Sequence, residues 1–303
     1  MKSKEVRGTV LALLTALVSG LAIPVNKIFV IKLDPVVFTA VRAVIIGTVF
    51  LALSLITRSF RKQSLTKNWK YLALIAIIGG SFAFMLFFTG LKLTTAGRGA
   101  FLHKTLPLYV SIFAFFLLKE NISKKQLYAM ILMFLGTIAI FSAKINPAEL
   151  WMNPQLGDIL IISATIMWAL ENVIARKAMI NGEENFVISF SRMFFGGLIL
   201  FGVVALTGRL DVLTGMTPQQ WMSIFISTSI LFCYVLFWYW SIKYINVSKA
   251  AVLLLLAPVV SLILGVVWFG EPVPPVQLLG SALILTGAYF TIKVKSTFRT
   301  TGI

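Results

Sequence analysis

The sequence predicts an all-α polytopic membrane protein: ten transmembrane helices arranged as two inverted five-helix repeats, with both termini cytoplasmic. Three observations predict it. Of the 303 residues, 59% are hydrophobic and only 12% charged, with a mean hydropathy of +0.95, whereas a soluble domain carries about 25% charged residues. Apolar runs recur along the whole chain, each near the length of about 20 residues that a bilayer-spanning helix needs. The chain also repeats itself: residues 107–120 (PLYVSIFAFFLLKE) and 258–271 (PVVSLILGVVWFGE) each run from a proline through twelve mostly apolar residues to a glutamate, 151 positions apart.

The same offset relates Lys92 to Lys243, Arg98 to Lys249, Gln126 to Gln277 and Gly136 to Gly287. Upstream, an offset of 150 relates Asp34 to Glu184, Arg42 to Arg192 and Gly47 to Gly197. One unit has been duplicated. Taken in order, the spans fall at roughly 9–30, 36–56, 71–91, 95–118, 125–142, 158–178, 186–206, 219–242, 247–269 and 276–293. The leading MKSKEVRG feeds a long apolar run with no small-residue cleavage site, so it is expected to remain as the first helix. Within that helix, Pro24 and Asn26 are expected to interrupt the outer end. Ser123 and the proline-rich residues 272–275 mark turns after the paired glutamates, and Asp158 is expected to cap the sixth helix.

Five spans per repeat is an odd number, so the second copy enters the membrane from the opposite side. This divides the chain into a first five-helix repeat (1–142), an extracytoplasmic linker (143–157) and a second repeat (158–303). Placement of Lys and Arg agrees with cytoplasmic termini. Eighteen of the 27 fall on the inner side and seven on the outer, with Arg42 and Arg192 inside helices.

Several function classes are excluded at this level. The net charge of +17 punctuates the apolar runs rather than gathering on one soluble face, which argues against a nucleic-acid partner. Cys233 is the lone cysteine, so there is no internal disulfide or cysteine metal cluster. There is no phosphate loop, HExxH, GxSxG or pair of intramembrane aspartates, and no soluble stretch long enough for a nucleotide-binding domain. Neither an enzyme nor a cofactor is expected.

Ten spans in two inverted halves, with the proline-to-glutamate stretch closing helices four and nine, resemble the EamA family of the drug/metabolite transporter superfamily. The resemblance covers nearly the whole chain. It implies a central cavity between the halves, lined mainly by helices one, three, four, six, eight and nine, and an activity among exporters of amino acids and other metabolites or exchangers of sugar phosphates and nucleotide sugars. Helix four departs from its repeat partner, with His103 and Lys104 where the second copy has Leu254 and Leu255.

Charge at bilayer depth costs about 2.5–3.5 kcal/mol on insertion scales, so each such residue is a candidate for function. Glu171 lies near the middle of helix six, and Lys104 lies at least two turns into helix four; the two are expected to face a common cavity and pair. Ser111 continues the small and polar stripe of helix four, whose plainer reading is helix packing. His103, the single histidine, suits either a proton relay or a hydrogen bond to a neighbouring helix. Arg42 and Arg192 suit either a shared architectural task, such as satisfying backbone carbonyls at helix crossings, or an anion gate. Trp168 and Tyr234 add aromatic faces, and with Glu171 would receive an ammonium group. Trp238, Tyr239 and Trp240 are read as an interfacial belt, and Asn26 as a polar ligand on helix one.

The function expected is a secondary transporter, exporting a small polar or zwitterionic metabolite such as an amino acid by alternating access. The alternatives are an organic-anion or phosphate-ester exchanger and a non-transporting membrane receptor. The expected partners are a small-molecule substrate and the lipid bilayer, with protons as coupling ion, in a monomer or homodimer of the cell membrane.

Overall fold

The structure, a computed structural model, describes residues 2–143 and 145–296. Lys144 and Arg299, which enter the charge count, and the tail 297–303 lie outside the described residues. Among the described residues, ten helices are long and apolar enough to cross a membrane: α1 (Lys2–Lys32), α2 (Pro35–Ile56), α3 (Trp69–Leu93), α4 (Ala96–Leu118), α5 (Lys124–Ser142), α6 (Leu156–Ile180), α7 (Asn185–Leu206), α8 (Pro218–Tyr244), α9 (Val247–Val267) and α10 (Pro275–Lys293). No strand occurs among the described residues. A helix is the answer to a solvent without hydrogen bonds, because it satisfies its own backbone. Large apolar side chains such as Leu17, Val49, Ile112 and Ile263 accordingly stay exposed on its outer faces.

Helix ends are set locally. Asp34 Oδ1 accepts the amides of Val36 (2.9 Å) and Val37 (3.0 Å) at the start of α2, where Pro35 supplies a residue with no amide to satisfy. Ser123 caps α5 and Thr217 caps α8 in the same way. For α6 the expectation is corrected: Gln155 is the cap residue, and Asp158, three residues on, accepts its amide at 3.0 Å in a capping box. Pro24 and Asn26 do not interrupt α1, which is continuous from residue 2 to 32. Three short helices, Lys62–Thr66, Glu149–Met152 and Asp211–Thr214, lie in connections where no element was expected.

The paired prolines act as their chemistry requires. Each lacks an amide and crowds the carbonyl four residues earlier, and the helix is disturbed just there: α4 opens into a turn at Lys104 and Thr105, and α9 tightens into a 3₁₀ turn at Leu254–Leu256. The helices pack mainly as α1 with α8, α3 with α6, α2 with α7 and α5 with α10, while α9 meets α4 and α1. Glu120, at the end of α4, accepts the amides of Val247 (3.0 Å) and Ser248 (3.2 Å) and the Ser248 hydroxyl (2.7 Å), seating the N-terminus of α9.

Two ion pairs anchor the same two helices. Arg98 on α4 pairs with Asp158 on α6, and Lys249 on α9 pairs with Glu5 on α1 at 3.0 Å. At the α2–α3 and α6–α7 connections, Glu184 bridges Arg61 and Lys243, and Glu183 accepts from Ser64 (2.8 Å) and Asn68 (3.0 Å).

Candidate functional site

A cavity of about 80 Å³ lies where α1, α2, α3, α4, α6, α7 and α8 converge. Six of the nine residues singled out from sequence line it: Asn26, Arg42, His103, Trp168, Arg192 and Tyr234. Phe84, Phe87 and Phe88 complete its aromatic wall, with Asn172 and Ser19 as further polar contributors. The wall is interlocked. Trp168 meets Phe84 at 5.2 Å and Phe87 at 5.1 Å between ring centroids, and His103 meets Phe87 at 5.3 Å and Trp168 at 5.4 Å, the offset geometries that aromatic quadrupoles favour. Trp168 Nε1 donates to the Gly79 carbonyl at 3.0 Å, which fixes its ring. His103 Nδ1 lies 3.5 Å from the Thr165 hydroxyl, a contact to the neighbouring α6.

Glu171 and Lys104 do not pair. Glu171 is fully buried, with Tyr239 Oη donating to its Oε1 at 2.5 Å and Arg192 Nη1 at 3.6 Å from its Oε2, an ionic contact too long for a hydrogen bond. Arg192 Nη1 also donates to Tyr239 Oη at 3.3 Å. Lys104 instead donates to Ser19 Oγ at 3.0 Å. The reason is angular: at 100° per residue, Glu171 stands about 60° around α6 from Trp168. That turn is enough to direct it away from α4, between α3 and α7. The approach is made by glycines, since a Cβ on Gly79 would overlap the Glu171 side chain, and one on Gly80 would strike the Arg192 carbonyl. Both helices carry a π-helical stretch there, Ile75–Phe82 and Ser191–Phe195, a local widening often found at functional sites.

Two other expectations are corrected. Trp238 and Tyr239 are buried completely rather than forming an interfacial belt, and Trp238 Nε1 donates to Asn172 Oδ1 at 2.7 Å. The shared task expected of Arg42 and Arg192 is also divided. Arg42 Nη2 reaches a backbone carbonyl, that of Ser227, at 3.4 Å, while Arg192 serves the buried acid. Ser111 lies outside the cavity, against Met130 of α5 at 3.8 Å.

Lys104 and Ser19 border a second, larger cavity of about 330 Å³ that reaches Ala96, Gly97, Gly265 and Glu271. Sequence reasoning missed Phe84, Phe87 and Phe88, although their spacing of three and four residues places them on one helical face. Asn172 was equally legible, four residues beyond Trp168. Tyr239 reads as interfacial from its depth alone. Among the described residues no cluster of histidine, cysteine, aspartate and glutamate is arranged to hold a metal ion.

The model of the EamA-like transporter family matches residues 6–142 and 155–293, nearly the whole chain. The chain belongs to the EamA-like transporter family. Among EamA-like relatives, it is 29% identical over 245 residues to the uncharacterized transporter YyaM of Bacillus subtilis, covering 80% of this chain and 79% of that one. It is 26% identical to a protein of Salmonella typhimurium described as a probable amino-acid metabolite efflux pump, with 96% and 98% covered. A solved crystal structure superposes with a TM-score of 0.73 at 20% identity, over 93% of this chain and 95% of its own, and so shares the fold. With ten apolar helices and transporter homologues, the protein is a multi-pass membrane protein.

Proposed function

We propose that the protein is a secondary transporter that exports a small polar or zwitterionic metabolite, an amino acid or a similar compound, by alternating access. The observation that carries this is the central cavity: two arginines and an aromatic wall, supplied by helices from both halves of the chain, at a depth where charge is costly. The relative described as an efflux pump supports the direction and the substrate class. Catalysis forms no part of the reading.

The halves 1–142 and 158–303 are proposed to be inverted copies that rock about the cavity, with both termini cytoplasmic and the linker 143–157 outside, in the cell membrane. The duplicated residues support this. So does the packing, because adding five to each helix label carries α1 with α8 into α6 with α3, and α1 with α9 into α6 with α4, while α2 with α7 and α5 with α10 return to themselves. The ion pairs follow the same rule, Glu5 with Lys249 corresponding to Asp158 with Arg98. The substrate and the lipid bilayer are the proposed partners, with protons as coupling ion, and the protein acts as a monomer or homodimer.

The test is counterflow in sealed proteoliposomes, preloaded with a mixture of amino acids and supplied outside with one labelled amino acid at a time. Uptake above that of empty liposomes is expected for at least one. Binding without any flux would instead mark a receptor. An organic-anion exchanger is the second reading, favoured by one observation: Arg42 lines the cavity with no carboxylate beside it.

A further inference from the structure

Arg42 is a buried cation without a counter-ion. Its side chain is 1% exposed, it enters no ion pair among the described residues, and its Nε and Nη1 have no hydrogen-bond partner. Its one hydrogen bond, from Nη2 to the Ser227 carbonyl, is long at 3.4 Å. What holds the guanidinium is aromatic: its carbon lies 4.6 Å from the Phe38 ring centroid and 5.1 Å from that of Phe88. Ring faces steady a cation and orient its plane, but they leave its N–H groups unsatisfied, and each unsatisfied buried donor is a cost.

Arg192 on the same cavity differs, because Glu171 balances it from behind the wall. Among the described residues no aspartate or glutamate lines the cavity. A zwitterion entering it therefore meets charged hydrogen-bond donors for its carboxylate, and for its ammonium only aromatic faces and neutral acceptors. Phe88 stands beside Arg42, and Phe87 and Trp168 line the same cavity, faces that suit a flat apolar body.

We propose that Arg42 anchors a substrate carboxylate through its unpartnered N–H groups, so that a carboxylate is obligatory in any ligand of this cavity and an ammonium is dispensable. This rests on the transport reading for its biological sense, but it is decided by binding alone, so failure of flux and failure of the anchor are separate results. A planar guanidinium is the side chain best matched to a carboxylate, by two parallel bonds or by several single ones.

The experiment uses the full chain purified in detergent and four probes sharing one ring: benzoate, phenylalanine, benzylamine and benzyl alcohol. Ligand binding to the folded state raises the melting temperature by mass action. Benzoate and phenylalanine are expected to raise it, and benzylamine and benzyl alcohol are not. In Arg42→Met the affinity for benzoate is expected to fall about 10- to 100-fold, the range for hydrogen bonds to a charged group. The ligand-free variant should melt at or above the wild-type temperature, because an unpaired buried charge has been replaced by a side chain of similar length. Arg42→Lys keeps the charge but not the plane, and should retain part of the benzoate shift.

Four results overturn the proposal: stabilisation by benzylamine or benzyl alcohol equal to that by benzoate; no stabilisation by any probe; an unchanged benzoate shift in Arg42→Met; or a ligand-free Arg42→Met that melts well below wild type. The last would assign Arg42 to holding α2 against α8.

Discussion

Replacing Glu120 by alanine removes three bonds at once, those from the amides of Val247 and Ser248 and from the Ser248 hydroxyl. Those amides belong to the first turn of α9, which has no intrahelical acceptors for them. Loss of an N-terminal cap costs about 0.5–2 kcal/mol. The carboxylate also sits at the positive end of the helix dipole, worth up to about 2 kcal/mol when partly buried, and Glu120 is only 8% exposed. Since these terms describe overlapping interactions, the expected loss is about 2–4 kcal/mol, a large share of the roughly 5–15 kcal/mol that typically holds a protein folded. Glutamine keeps one acceptor oxygen but turns an NH₂ toward a donor, so it should lose about half as much. The assay is melting temperature and folded yield in detergent for Glu120→Ala, Glu120→Gln, Ser248→Ala and the double variant Glu120→Ala/Ser248→Ala. Non-additive losses are expected because the residues share a bond. An unchanged melting temperature in Glu120→Ala would refute the capping argument, and lost substrate affinity at unchanged stability would refute the architectural role.

Glu171→Gln or Arg192→Met alone should destabilise by about 3–5 kcal/mol, because each leaves a buried charge unmatched, while the double variant should recover folded yield but not flux; additive losses in a denaturation cycle would mean no coupling. Gly80→Ala should wedge α3 from α7 against the Arg192 carbonyl and cost about 1–3 kcal/mol, measured as a lower melting temperature; normal stability would show that the π-helical stretches absorb the methyl. With Cys233 replaced by alanine, a cysteine at Asn153 should react with an impermeant maleimide in intact cells and one at Gln63 should not, and the reverse pattern would invert the proposed topology.

The helices were legible because bilayer solvent leaves a strong mark: length and hydropathy alone locate all ten. The disturbances of α4 and α9 were legible through Pro107 and Pro258, whose chemistry is local; the partners of Glu120 were not, because they lie 127 and 128 residues away on α9. The site was legible as a set of residues but not as a set of partners. Glu171 and Lys104 share a depth, and depth is all that a linear pattern supplies; which neighbour each one faces depends on about 60° of helix rotation and on the glycines that let α3 approach. Gly79 and Gly80 looked like ordinary small residues in an apolar run. Tyr239 was hidden for a similar reason, since an aromatic residue near a helix end is usually interfacial and only its packing against Glu171 of α6 and Arg192 of α7 could show otherwise.

The solitary charge of Arg42 has an electrical consequence. The Glu171–Arg192 pair is neutral as a unit and contributes nothing to the charge displaced when it moves with its surroundings. Arg42 is not neutralised in this way. On the transport reading, an empty cavity carries its charge through part of the membrane field at each reorientation, a cavity holding a carboxylate without an ammonium does not, and a bound zwitterion, neutral overall, leaves the charge in place. A charge crossing the full field is worth about 2.3 kcal/mol per 100 mV. If the displacement spans a third of the field, the return of the empty protein changes roughly fourfold per 100 mV. For a carboxylate anion, membrane voltage would then set the pace of net export while leaving one-for-one exchange untouched, whereas for a zwitterion both steps would feel it.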